Sequence, residues 1–430
     1  MLNPMSAPPR IVQPRHYETF RCIGADCEDT CCDGWGVNID RATYDKYKEN
    51  PELSPSVSEL VVINSQYASD DEYASFKLSE THCPYLSQGL CSIQSRHGED
   101  FLSDVCATYP RIMNRVGDAM ERSLDLSCPE VARIALLDPH PMELLPAAGP
   151  VAGFRMGPSR VPGIPNASYE GKTYPHFFAV RDLIVVILRE RTYPLWKRLV
   201  IIGHLCDKLS EMAGLQNDRD IPALLHGYLH AVRDKQFDEL LSKFRVQPSA
   251  QIVTILELVV NRITSDFTGR RFLDCYQDFM QGLQWTPESN LQDIIRRYTD
   301  AWASYYVPFF DQNQSLMEQY FAAYVYGNLV PLGRLEMNRR SGLHGAANSI
   351  SIQCMLMMTY YAIIRTVLIG MAGHHRSAFG MDHVIKAIQS STKAFQHNTL
   401  FPASAIEILT RNGLKSGASM AVLVQDLNPV

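Results

Sequence analysis

The sequence predicts a mainly α protein. A cysteine-rich, loop-rich metal-binding part comes first and a helical part follows. Three observations predict this. Eight of the eleven cysteines fall between Cys22 and Cys128. Eight prolines then crowd the stretch from Pro139 to Pro175. Beyond it, apolar residues recur at helical spacing and no alternating strand–helix pattern is visible. The expected organisation is a metal-binding region over 1–138, a proline-rich linker over 139–175 and a helical domain over 176–430.

Bulk properties set bounds without naming a function. The chain has 430 residues, 46% hydrophobic and 20% charged, ordinary for a globular protein. A net charge of -6 and a pI near 6.1 argue against a dedicated nucleic-acid binder, whose phosphate contacts need a basic surface. The N-terminus, MLNPMSAPPRIVQPRHYETF, lacks the apolar core of a secretory signal. The closest approach to a membrane span is Ile350 to Met371, but Ser351, Gln353, Thr359 and Arg365 interrupt it. That pattern predicts a buried core helix and no membrane span. The expected location is therefore the cytoplasm, where thiols stay reduced and clustered cysteines favour metal or catalysis over disulfides.

The N-terminal part is read from its thiols. Cys22, Cys27, Cys31 and Cys32 follow the pattern C-x4-C-x3-C-C, and Cys83, Cys91, Cys106 and Cys128 sit in short local settings: HCPYL, GLCSIQ, DVCATYPR and LSCPE. Thiolate sulfur suits zinc and iron–sulfur clusters. Adjacent Cys31 and Cys32 would point apart in a strand and diverge by about 100° in a helix, so both reach one centre only from an irregular loop. Four thiolates saturate a structural zinc or a conventional iron–sulfur cluster, so eight thiols suffice for two closed sites, or for one site plus spares. No C-x2-C pair is present, which excludes zinc ribbons and RING-type modules. Gly34 stands where the radical-SAM loop would need its third cysteine.

The linker follows from proline density, since proline removes a backbone donor and fixes its own φ. In the helical part, Val180, Leu183, Ile184 and Ile187 mark one face at i, i+3, i+4, i+7, as a core-facing helix requires. Similar faces recur at SAQIVTILELVVNRI, NLQDIIRRYTDAWASYY and LMEQYFAAYVYGNLV. Cys206, Cys275 and Cys354 lie in such apolar helical sequence and read as buried structural thiols. No G-x-G-x-x-G fingerprint occurs, so a Rossmann-like core is not expected.

The stretch QPRHYETFRCIGADCEDTCCDGWGVNIDRATYDKY closely resembles the N-terminal signature of the flagellin lysine N-methylase family. The resemblance continues through HCPYLSQGLCSIQSRHGEDFLSDVCATYPRI and ERSLDLSCPEVARI, and FFAVRDLIVVILRERTYPLWKRLVIIGHLCDKL and STKAFQHNTLF look like that family's helical part. It implies a 4Fe–4S cluster, S-adenosylmethionine as methyl donor and flagellin lysine side chains as acceptor. The cysteine run is also similar to that of a wider group of zinc- or iron-chelating proteins. Two alternatives therefore stand beside the methyltransferase: a non-catalytic zinc- or iron-binding module, and an electron-transfer iron–sulfur protein.

Further residues are weighed against that reading. All eight clustered cysteines are candidate ligands. Tyr109, Arg111 and Glu130 flank them and are the candidate catalytic residues, with Arg111 also able to hold a donor carboxylate bidentately. Arg96, His97, Glu99 and Asp100 read as a solvated turn or as tuners of the metal site. Trp35 is expected to pack over that site. His397 and Asn398 read as capping or core hydrogen-bonding residues. Arg334, Arg339 and Arg340 read as a solvated basic loop or a contact for an acidic partner. Lysine methylation sets one further demand. The amine, with an ordinary pKa near about 10.4, must lose its proton before attack, so a base must stand close by. The helical domain, without a cofactor signature, is expected to bind the protein substrate.

Overall fold

The computed structural model describes residues 11–34, 36–64, 70–79, 82–138, 140, 143–147, 155, 159–160, 174–214, 217–265, 268–343 and 349–427. Trp35 and most of the expected linker lie outside these residues. The architecture is mainly α, as the helical periodicity predicts.

A single helix, Ser349–His375, organises the C-terminal part. It packs on Leu195–Gly214, Arg270–Gly282, Leu291–Ala301 and Met381–Ser391. Because neighbours surround it, its apolar residues need no preferred face, which is why it passes for a membrane span by length and composition while lying buried within the protein. Each fully buried Leu or Ile along it contributes about 1.5–3 kcal/mol of transfer free energy. Its one charge, Arg365, is fully buried and donates to the carbonyls of Val424 and Gln425 at 2.8 and 3.0 Å. The Phe177–Arg189 helix buries Val180, Leu183, Ile184 and Ile187 on one face.

The N-terminal part contributes to two cores. Val37, Ile39, Tyr47, Val57, Phe76, Ile93 and Leu102 form a small one, joined by Cys83. Residues flanking that core in sequence belong instead to the large helical core, among them Phe20, Leu124, Leu126, Cys128 and Val131. A five-stranded sheet carries the chain between them, in the order Ser159–Arg160, Arg111–Val116, Ala119–Leu124, Ile11–Pro14, Leu144–Pro146. Its centre is the hairpin of Arg111–Val116 and Ala119–Leu124, pairing Arg111 with Leu124 and Val116 with Ala119. Gly117, at φ +60°, opens the two-residue turn that this hairpin needs. Two short stretches of the proline-rich segment are thus strands at the sheet's two edges, where a proline such as Pro146 costs no ladder hydrogen bond.

The hairpin is bolted to the helical body. Arg181 makes a bidentate pair with Glu121 at 2.7 and 2.5 Å, both groups buried. Asn114 donates to the carbonyls of Tyr326 and Gly327 at 2.9 and 3.2 Å. The hairpin therefore presents Asp125, Ser127 and Cys128, just past its end, to a fixed wall of helices.

Candidate metal centre

The eight clustered cysteines, none of them in a disulfide, divide into two groups. Cys31, Cys32, Cys83, Cys91 and Cys106 line one cavity of about 550 Å³, walled by Val37, Tyr47, Phe76, Ile93, Leu102 and Tyr109. Short elements bring them there. Cys31 and Cys32 sit in an irregular turn, which resolves the geometric problem of adjacent ligands. The Cys83 N–H donates to the Cys32 carbonyl at 2.7 Å. Cys91 ends the strand Leu90–Cys91 and caps the Ser92–His97 helix. Cys106 lies in the Asp104–Thr108 helix, capped by the Ser103 hydroxyl, which accepts from the Cys106 N–H at 3.4 Å.

The second group is Cys22, Cys27 and Cys128, close enough that charges on the first two raise the third. Cys128 precedes the Pro129–Leu136 helix, and burial pushes its thiol up to about 12. The Cys27 thiol donates to the Asp29 carbonyl at 3.2 Å.

The thiols of the cavity are not equivalent. Cys32 hydrogen-bonds both Cys31 and Cys91, which holds Cys31 down at about 7 and Cys91 at about 6 and raises Cys32 itself. Backbone N–H groups of Gln94 and Ile93 also favour the Cys91 thiolate. Burial pushes Cys83 up to about 11 and Cys106 up to about 12. Spacing is informative too. A tetrahedral zinc with sulfur at about 2.3 Å needs thiolates only about 3.8 Å apart. Among the described residues, no three of these thiols lie within 4.8 Å of one another. Two pairs, Cys31–Cys32 and Cys32–Cys91, are in hydrogen-bonding contact.

A polar joint lies beneath the cavity. Lys393, buried, donates to Asp29 Oδ1 at 2.8 Å and to the Thr30 carbonyl at 3.0 Å. Its charge also lowers Cys31. Gln389 donates to Asp29 Oδ2 and to the Ser127 carbonyl, both at 2.7 Å. Ser127 Oγ stands 3.0 Å from the Tyr109 hydroxyl and 3.0 Å from His397 Nε2, and His397 Nε2 lies 3.3 Å from Asp125 Oδ2. Burial alone would raise the Asp125 carboxyl. The His397 charge and hydrogen bond, with the Ser127 N–H, hold it well below the usual carboxylate range.

On the far side of this joint opens a polar cleft of about 630 Å³, lined by Asp125, Tyr324, Asn328, Arg334, Gln396 and His397 among others. Tyr109 thus faces the cysteine cavity, His397 faces the cleft, and Ser127 links them.

The other sequence candidates fall elsewhere. Arg111 lies over the Phe20 ring at 5.3 Å, and Glu130 pairs with Arg133; neither lines the cavity or the cleft. His97 pairs with Glu52 at 3.6 Å, while the backbone carbonyl of Glu99 and the Asp100 carboxylate meet Arg155. Asn398 accepts from the Leu400 and Phe401 N–H groups, a capping role. Arg334 lines the cleft and donates to the Gly327 carbonyl, Arg340 pairs with Glu72, and the side chain of Arg339 lies outside the description. Cys275 is buried against Ser390, whereas Cys206 and Cys354 are not isolated: their thiols hydrogen-bond across two packed helices. Sequence reasoning missed Asp29, Gln389 and Lys393 altogether and read His397 as a capping or core hydrogen-bonding residue, because their partners are hundreds of residues away.

Residues 181–423 match the family model of the FliB lysine N-methylase C-terminal domain. The chain is 30% identical over 140 residues to a lysine-N-methylase of Salmonella typhimurium, covering 31% of this chain and 34% of that protein. It is 31% identical over 137 residues to the flagellar biosynthetic protein FliU of Salmonella muenchen, covering 31% of this chain and 81% of that one. The chain thus spans about a third of the length of the first of these relatives. No solved structure matches it.

Proposed function

The chain belongs to the FliB lysine N-methylase family, and from that membership we propose that it is a cytoplasmic protein-lysine N-methyltransferase acting on flagellin. In this reading S-adenosylmethionine is the methyl donor and an iron–sulfur cluster is held by the cysteine-rich part. The observation that carries it is the juxtaposition of the five-cysteine cavity and the polar cleft across one hydrogen-bonded wall.

The donor set fits the cofactor. Five thiols ring an apolar cavity, two of them held towards thiolate. A bound cluster with one iron free of thiolate would supply a Lewis-acidic site for the amino and carboxylate groups of the donor. Phe76, Ile93 and Leu102 exclude water from that side.

The chain's own residues account for the proton. Asp125 stays ionised and draws a lysine ammonium into the cleft. Neutral His397, within reach of Asp125 and Ser127, takes the lysine proton, and the imidazolium so formed is the charge that Asp125 balances. A positioned base of this kind contributes about 10²–10⁴-fold. The aromatic rings of Tyr324 and Tyr360 line the same cleft and suit the aliphatic stem of lysine.

The test is anaerobic incubation of the iron-loaded protein with flagellin, donor and a reductant, followed by mass spectrometry for methylated lysines. We expect methylation by the native protein. His397→Gln should keep its iron while losing methylation by about 10²-fold or more. Absence of methylation by native, iron-loaded protein would move the assignment to a non-catalytic metal-binding module.

A further inference from the structure

We propose a second metal site, built without sulfur, at Asp278, His374 and His375. It would take one first-row divalent cation such as zinc, cobalt or nickel. His374 and His375 end the central helix Ser349–His375, where the divergence of adjacent helical residues is closed by their longer side chains, whose ring centroids are 4.7 Å apart, and Asp278 lies in the helix Arg270–Gly282 that crosses it. One donor atom from each of the three residues lies within 4.8 Å of the other two. His375 Nε2 is 3.1 Å from Asp278 Oδ2 and His374 Nε2 is 3.9 Å from Asp278 Oδ1.

These separations are those of a coordination shell. Ligands at about 2.0–2.1 Å from a tetrahedral ion sit about 3.3–3.4 Å apart, and the observed 3.1 and 3.9 Å, each to a different oxygen of the Asp278 carboxylate, lie on either side of that edge. Two imidazoles and a carboxylate are a ligand set that zinc, cobalt and nickel accept, with solvent completing the shell. The central helix adds its own preference, since its C-terminal end carries partial negative charge and favours a cation.

The frame is rigid. One turn from Asp278, a Cβ on Gly282 would meet the Gly370 carbonyl oxygen at 1.9 Å, and a Cβ on Gly370 would meet Phe279 Cα at 2.8 Å. The two backbones therefore touch, and this contact fixes the ligand spacing before any ion arrives. A neighbouring histidine is excluded by its tautomer. The His383 ring lies tilted against that of His375 with centroids 3.9 Å apart, but its Nδ1 accepts the Gly380 N–H at 3.1 Å. The neutral ring then carries its proton on Nε2 and has no lone pair left for a metal. It walls the site instead.

Histidines at a helix end paired with an aspartate are also what a simple ion pair looks like, so the test must count metal. Cobalt(II) is the probe, because cobalt on thiolate shows intense charge-transfer bands and cobalt on nitrogen and oxygen shows only weak ligand-field bands. We expect the purified protein to bind one cobalt of the second kind. Asp278→Asn and His375→Ala should each weaken it beyond the about 10–100-fold typical of outer-shell changes, while Cys31→Ser and His383→Ala retain it. In the unaltered protein, cobalt should also protect His374 and His375 from diethyl pyrocarbonate, read by peptide mapping, which keeps the test valid if a variant fails to fold. Unchanged weak-band uptake in folded His375→Ala, or no protection in the native protein, would overturn the site.

Discussion

Five thiols around the N-terminal cavity and three thiols in the helical body differ in what surrounds them. Cys206, Cys275 and Cys354 lie in long helices, wholly buried among apolar side chains. Burial pushes Cys275 up to about 11, while its hydrogen bond to Cys206, together with burial, raises Cys354 well above the usual thiol range. Cys31 and Cys91 sit on a turn and a strand end, where backbone N–H groups and a neighbouring thiol favour the charged form, whereas Cys106, inside a short helix, is pushed up by burial to about 12, much as Cys275 is. The lesson is that a cysteine's chemistry is set by the element carrying it. A regular helix satisfies its own donors and leaves none for sulfur, whereas an irregular segment has donors to spare.

The comparison breaks most sharply at the level of iron. Cys91→Ser should reduce bound iron in anaerobically purified protein by more than about tenfold, and methylation with it. Cys275→Ser should leave iron unchanged and cost only about 1–3 kcal/mol of stability, from a hydroxyl placed in an apolar core. Iron assay and urea denaturation of both variants check it. Equal iron content in the two would erase the distinction drawn here.

A smaller effect is expected where the two regions meet. Lys393 and Asp29 form a buried pair, 8% and 9% exposed at their side chains. Lys393→Met removes one charge and strands the other, which costs about 3–5 kcal/mol. Replacing both, as in Lys393→Met with Asp29→Leu, should recover much of that loss, because a well-packed apolar pair avoids the desolvation penalty. Urea midpoints for the single and double variants measure the joint. A single-variant loss below about 1 kcal/mol would mean that the two regions are held together elsewhere.

That joint also marks where sequence reading stops. The helix face of Val180, Leu183, Ile184 and Ile187 was legible because its spacing is local. The clustering of thiols was legible from composition, and the interrupted apolar run at Ile350 read correctly as a core helix. The partition of eight cysteines into five and three was not, since Cys31 and Cys32 share a cavity with Cys106 only after the chain folds back through the short helices and strands between them. Lys393 and Asp29 are 364 positions apart, and no periodicity connects them. Tyr109 stood out through its neighbouring cysteine and does reach the cavity. Arg111 and Glu130 stood out for the same reason and face other partners, because alternate residues of a strand and successive residues of a helix point in different directions.

The smallest of these effects tests the cleft's own electrostatics through pH. Asp125 is held below the usual carboxylate range in the folded protein, against the opposing pull of burial, by His397 and the Ser127 N–H. Its unfolded value is about 3.9. A depressed folded pKa means that the unfolded chain takes up the proton first as acid is added. The stabilisation is therefore fully present above about pH 4–5 and is lost as pH falls through that unfolded value toward the folded one. Asp125→Asn removes the charge but keeps the shape. It should cost about 1.5–3 kcal/mol at neutral pH, the range for a hydrogen bond to a charged group. Its stability curve should also be flatter than the native one between neutral pH and about pH 3. Urea midpoints of native and variant protein across that interval decide it. Parallel curves would mean that Asp125 keeps the same proton affinity folded and unfolded, and that His397 is not the partner holding it ionised.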